Sequence, residues 1–233
     1  MHKIGIILGS GLNRFADELK HPDLVFEDKK GIHHKKVISG SICKKEVVVF
    51  QGRNHLYEGA SLKKVLFNVK LAEELGIDFL IVTNAAGGLN QNYRVSDLML
   101  ISSHVNFLFK RISCNKSNNT YDIKLINEVI GLAGKNKILL HRGTYCSSLG
   151  PVYETMSDLT LLKKMHVDAV GMSTIPELIY ANSNGIKTLA ISCITNLLSS
   201  SNKMIISHDE VIDAGNKAYK NFSKLMKIII NDY

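Results

Sequence analysis

Residues 79–90 read FLIVTNAAGGLN: Phe79-Leu80-Ile81-Val82 are apolar without interruption, and the small-residue string Thr83 to Asn90 follows at once. Four such residues bounded by a glycine-rich stretch read as a strand buried on both faces, as in a sheet covered by helices. The string after it, rich in alanine and glycine, can bring backbone N–H groups close to a bound anion.

The same alternation continues in both directions. Ile4 to Leu8 and Val47 to Phe50 are short buried strands, the second ending at Gln51-Gly52. Ser61 caps a helix that carries Leu62, Val65, Leu66, Val69 and Ala72 on one face and closes at Gly76. Leu98 to Ser102, Ile138 to Leu140, Ala169-Val170 and Thr188 to Ile194 are further strand candidates. In the last helix Ser207 and Glu210 form a capping box, and Val211, Ala214, Ala218, Phe222, Leu225 and Ile229 make one apolar stripe. Strands alternating with helices predict an α/β fold with helices on both faces of the sheet. There is no internal repeat and no Pro- or Ser-rich linker, so residues 1–233 are expected to form one domain.

Composition excludes several classes. No apolar run approaches the roughly 20 residues of a membrane span, and the start Met-His-Lys-Ile-Gly-Ile-Ile-Leu-Gly reads as a first strand, not a signal peptide. Cys43, Cys114, Cys146 and Cys193 are widely spaced with no CxxC pair, which fits neither a disulfide framework nor a zinc site and predicts a reducing, cytoplasmic setting. The net charge of +8 raises the question of nucleic acid. The lysines are scattered, however, and no aromatic-basic RNA motif or helix-turn-helix signal accompanies them, so no nucleic-acid partner is expected.

Five short segments could carry chemistry. Gly9-Ser10-Gly11 follows the first strand but lacks the third glycine and the later acidic residue of a dinucleotide fingerprint. It is either a plain strand-exit turn or a phosphate-binding loop. GRNHLYEG, Gly52 to Gly59, brings Arg53 and His55 to a strand end, where arginine is either a surface residue or an oxyanion ligand. GTYCSSLGPVYET, Gly143 to Thr155, joins a strand to a helix through a Gly-Pro turn and delivers Glu154. VGMS (Val170 to Ser173) and Thr195-Asn196 complete the set.

With FLIVTNAAGGLN, these segments resemble, in this order and over nearly the whole chain, the trimeric purine nucleoside phosphorylases. The resemblance implies a three-layer α/β/α fold with a central mixed sheet. It also implies phosphate-dependent cleavage of inosine or guanosine, and of their deoxy forms, to purine base and (deoxy)ribose 1-phosphate. Phosphate would then be held by Ser10, Arg53, His55, the Ala86 amide, Ser173 and a gating-loop His33, with Glu58 orienting His55. Tyr57, Met172 and His208 would meet the ribose, and Ala85, Gly88, Tyr153 and Val170 would line the base and sugar. Glu154 would accept the N1–H of a 6-oxopurine and Asn196 would serve N7 and O6; with His55 these two form the implied catalytic set. The 6-aminopurine relatives carry a small residue and an aspartate at the positions of Glu154 and Asn196. Methylthioadenosine-type phosphorylase activity and a nucleoside-binding protein with reduced turnover are the alternatives. No metal or cofactor is implied, phosphate being a co-substrate, and the expected assembly is a homotrimer. One departure stands out: Phe107 to Asn119 is short and lacks the Gly-Pro-Asn and Arg-Phe-Pro stretches with which relatives reach the neighbouring subunit. The family's N-terminal helix is also missing.

Overall fold

The computed structural model describes residues 3–29, 34–108, 120–198 and 207–233, with the backbone but not the side chain of His208. Within them lie strands β1 (Ile4–Ile7), β2 (Lys20–Asp28), β3 (Lys35–Ile42), β4 (Lys45–Gln51), β5 (Phe79–Gly88), β6 (Leu98–Asn106), β7 (Leu140–Ser147), β8 (Ala169–Gly171) and β9 (Lys187–Leu197). The helices are α1 (Leu62–Val65), α2 (Phe67–Glu74), α3 (Ile123–Lys135), α4 (Met156–Lys164), α5 (Ile175–Ser183) and α6 (His208–Asp232).

All nine strands join one mixed sheet in the order β2-β3-β4-β1-β5-β8-β7-β6-β9. Strand β9 also pairs with β5, so β5, β8, β7, β6 and β9 close on themselves and the other four extend from them. The pairings β1 with β4 and β5, β5 with β9, and β7 with β6 and β8 are parallel.

Strand periodicity divides the core. Phe79 and Ile81 pack with Ile126, Val129, Phe222, Leu225 and Ile229 of α3 and α6. Leu80 and Val82 face the other way, onto Val69 and Ala72 of α2 and Leu178 and Ala181 of α5. Burial on both faces is why this strand is apolar at every position. The mixed α/β architecture expected from the sequence is the one observed.

Four local expectations change. The strand expected at Ile138 to Leu140 begins at Leu140 and runs on to Ser147 as β7, so the start of GTYCSSLGPVYET is strand. The helix after Ser61 is two pieces, because Leu66 has ψ near 4° and ends α1 before α2 begins. The string Thr83 to Gly88 is not a loop but the far half of β5: Gly87 and Gly88 pair with Val170 and Ala169 of β8 on one side and with Asn196 and Leu197 of β9 on the other. Side chains there would clash, since a Cβ on Gly87 would come within 2.7 Å of Leu198 and one on Gly88 within 2.9 Å of Ile194. Strands β2 and β3 were not foreseen at all. By contrast the capping box of α6 forms as read, with Glu210 N–H donating to Ser207 Oγ (3.2 Å) and Ser207 N–H to Glu210 Oε2 (2.7 Å).

Candidate active site

A cleft of about 230 Å³ opens where the ends of several strands converge. Its walls include Ser10 after β1, Arg53, His55 and Tyr57 after β4, Ala85 and Ala86 of β5, and Tyr153 and Glu154 before α4. Val170 of β8, Met172 and Ser173 before α5, and Asn196 of β9 complete the predicted residues that meet there. Gly88, expected to line base and sugar, does not: its Cβ direction faces Ile194 and Leu197, and Gly87 lines the cleft instead. His33 lies outside the described residues, as does the side chain of His208, whose backbone opens α6.

Arg53 is the most constrained of these groups. It is only 6% exposed. One guanidinium nitrogen, Nη2, donates to the Thr83 carbonyl at 2.7 Å, and Nη1 donates to Ser173 Oγ at 3.1 Å and Thr174 Oγ1 at 3.4 Å. Behind it Glu177 Oε2 lies 3.5 Å from Nη1. Ser173 Oγ accepts from Arg53 and lies 3.2 Å from Thr174 Oγ1, where either hydroxyl can be the donor. Thr174 is at φ +81°, an unusual conformation for a β-branched residue, and it also accepts from Asn84 Nδ2 at 2.9 Å.

The glycine loop is held just as tightly. Thr83 Oγ1 donates to the Ile7 carbonyl (3.0 Å) and accepts from Gly9 N–H (2.9 Å). A Cβ on Gly9 would lie 2.5 Å from the Asn84 Cα, so no other residue fits without moving a backbone. Gly11, at φ +78°, rests against α6 at Gly215. Ser10 is therefore presented by two fixed neighbours.

His55 and Glu58 form a short unit. Glu58 Oε1 accepts from His55 Nδ1 at 2.8 Å and Oε2 from the His55 N–H at 3.4 Å. Holding the proton on Nδ1 makes Nε2 the acceptor of the neutral ring. Tyr57 stacks on the imidazole at 4.8 Å. Burial, with help from Glu58, pushes the Tyr57 phenol up to about 12, so the hydroxyl remains a neutral donor at working pH.

Two residues facing the cleft have their polarity set by neighbours. The one Thr195 Oγ1 proton has Asn196 Oδ1 at 3.1 Å as its nearer acceptor, with the Ala86 carbonyl at 3.4 Å, an arrangement that turns the amide oxygen to Thr195 and leaves Nδ2 as donor. Ser148 Oγ donates to Glu154 Oε1 at 3.2 Å, so Glu154 presents an acceptor. Sequence reasoning missed Ser148, Thr174 and Glu177. Ser148 is a small hydroxyl inside a recognised segment, Thr174 falls one residue past VGMS, and Glu177 sits in a first helical turn, where a solvated carboxylate is the default.

The phosphorylase superfamily model matches residues 3–231. The chain is 39% identical over 250 residues to Bacillus subtilis (strain 168) purine nucleoside phosphorylase 1, covering 99% of this chain and 92% of that protein. It is 32% identical over 255 residues to the Rattus norvegicus purine nucleoside phosphorylase, covering 98% and 88%. Among solved structures, Schistosoma mansoni purine nucleoside phosphorylase in complex with inosine superposes with a TM-score of 0.89 at 31% identity, covering 100% of this chain and 90% of that one. The chain belongs to the phosphorylase superfamily, in its purine nucleoside phosphorylase family.

Proposed function

We propose that this chain, as one domain spanning residues 1–233, is a phosphate-dependent phosphorylase of 6-oxopurine nucleosides. Inosine or guanosine, or a deoxy form, reacts with inorganic phosphate to give free base and (deoxy)ribose 1-phosphate. Phosphate is the co-substrate and no cofactor takes part. The observation that carries this reading is one cleft holding both kinds of polar group: the anion donors Arg53, Ser10 and Ser173, and the oriented pair Glu154 and Asn196.

In the proposed reaction the bond from the purine nitrogen to the anomeric carbon breaks and a phosphate oxygen bonds to that carbon. Positive charge develops on the sugar and negative charge on the base, as in glycoside hydrolysis. Arg53, Ser10, Ser173, His55 and the Ala86 amide hold phosphate beneath the sugar, which supplies proximity. The phosphate charge also steadies the developing cation. Asn196 Nδ2 donates to N7 of the departing base, and that hydrogen bond strengthens as the base gains charge. Glu154 accepts from N1–H. Tyr57 and Met172 bound the ribose, while Tyr153, Val170, Ala85 and Gly87 bound the base.

Release of a reusable base and a sugar phosphate suits purine salvage in the cytoplasm, and no described helix is long and apolar enough to cross a membrane. The assembly proposed is a homotrimer. Leu149, Val152 and Met156, exposed on and beside the segment that carries Tyr153 and Glu154, support a subunit interface there. Incubating the protein with inosine, guanosine or adenosine, each with and without phosphate, tests the reading. Phosphate-dependent release from the first two with little from adenosine is expected; equal use of adenosine would remove the 6-oxopurine assignment.

A further inference from the structure

Glu177 is 1% exposed, and beyond the Thr174 backbone N–H, which approaches it outside full hydrogen-bond geometry, its carboxylate oxygens meet no hydrogen-bond partner among the described residues. Its neighbour is Arg53, whose Nη1 lies 3.5 Å from Oε2 and whose Nε is likewise unmatched. Arg53 is also the arginine that lines the cleft. An ionised Glu177 therefore opposes the charge of Arg53, the one Arg or Lys among the described residues lining the cleft, and it does so in a region of low dielectric, where the effect is strong.

We propose that Glu177 takes up a proton when an anion binds beside Arg53, so that the full guanidinium charge serves the anion only in the protonated form. That coupling rests on the anion site proposed above. Glu177 makes no contact with substrate in this scheme: it acts through Arg53, as a positioning and charge-setting residue.

The surroundings favour such a change. Burial pushes the Glu177 carboxyl above the usual carboxylate range, with Arg53 and the Thr174 N–H drawing it back. Arg53 is the charged group that acts on it among the described residues. Tyr145 of β7 donates to the Ser173 carbonyl at 3.3 Å and is kept protonated by burial, and His55, paired with Glu58, lies on the cleft wall. An anion hydrogen-bonded to Arg53 would sit about 6 Å from Glu177, the 3.5 Å pair plus one charge-assisted hydrogen bond. At that distance and an effective dielectric constant of about 20, one negative charge raises the carboxylate's affinity for a proton roughly 100-fold. The sign follows: anion affinity is highest at low pH, and it falls as pH rises through the range where free Glu177 ionises, by at most about tenfold per pH unit.

Sulfate is the probe, because it is a dianion that does not itself titrate near neutrality. Calorimetric titration of the intact protein with sulfate, in buffers of different ionisation enthalpy, counts the protons taken up per anion. Wild type is expected to take up more protons than Glu177→Gln, the difference approaching about one, and the variant's sulfate affinity should depend less steeply on pH. Every titratable group except Glu177 is common to the two proteins, so the comparison isolates position 177. In wild type alone, sulfate should also bring up the infrared carbonyl band of a protonated carboxylic acid, a readout that needs no variant to fold. Sulfate binding with equal proton uptake, or without that band, overturns the coupling and leaves the anion site standing. No sulfate binding at all overturns both.

Discussion

Arg53→Lys separates anion recognition from packing, because the guanidinium does both. Its Nη2 donates to the buried Thr83 carbonyl at 2.7 Å while Nη1 serves Ser173 and Thr174 and faces Glu177. Lysine keeps the charge but is shorter and carries all its donors on one nitrogen, so it cannot reach both sides. Losing the hydrogen bond to Thr83 and leaving that carbonyl unmatched should cost about 2–4 kcal/mol. For a chain of this size this corresponds to a Tm lower by roughly 5–15 °C. The phosphate would also lose paired, charge-assisted donors, and removal of one preorganised donor of this type lowers turnover by about 10²-fold or more. The assay is inosine phosphorolysis at saturating nucleoside with phosphate varied, beside a thermal melt. The expected result is a fall of about 10²-fold in kcat/KM for phosphate in protein that is still folded. A lowered Tm with unchanged kcat/KM for phosphate would show Arg53 to be a packing residue only and would refute the anion site as drawn.

Four further outcomes follow from the same geometry. Asn196→Ala should lower kcat by about 10²-fold with little change in nucleoside KM, as expected for a hydrogen bond that strengthens in the transition state; a change in KM alone would contradict that role. Tyr57→Phe should raise nucleoside KM about 2- to 10-fold with kcat nearly unchanged, the effect of one neutral hydrogen bond. Ser148→Ala removes the hydroxyl that donates to Glu154, and should raise KM for inosine several-fold while leaving KM for phosphate alone. Gly9→Ala should yield little folded protein on expression, because its Cβ would lie 2.5 Å from a backbone carbon of β5; a stable, active variant would mean the β1 exit is looser than described.

The parts of the fold legible in the sequence are those where local pattern and tertiary burial agree. Phe79 to Val82 is apolar throughout because both faces are covered, and Ser207 with Glu210 caps α6 because that bonding is local. Strand β2 was invisible for the opposite reason. Lys20–Asp28 is an edge strand, mostly exposed and charged, and its order comes from pairing with β3, which leaves no apolar alternation to read. Closure of the sheet through β5 and β9 depends on glycines that accept neighbours on two sides, a condition indistinguishable in sequence from a loop. In the site, resemblance pointed to Arg53, Glu154 and Asn196, which line the cleft, but not to the groups packed behind Arg53. Thr174 works through a positive φ, and Glu177 through complete burial of a carboxylate in an N-terminal turn that looks solvated on paper.

The most direct test of the central claim is the stoichiometry of one reaction. Purified protein is mixed with inosine and phosphate, and hypoxanthine and ribose 1-phosphate are quantified together. One ribose 1-phosphate for each hypoxanthine, with no release when phosphate is omitted, is the predicted result. Hypoxanthine accompanied by free ribose would make water the nucleophile and contradict the account of Arg53, Ser10 and Ser173 as the cradle of an attacking phosphate.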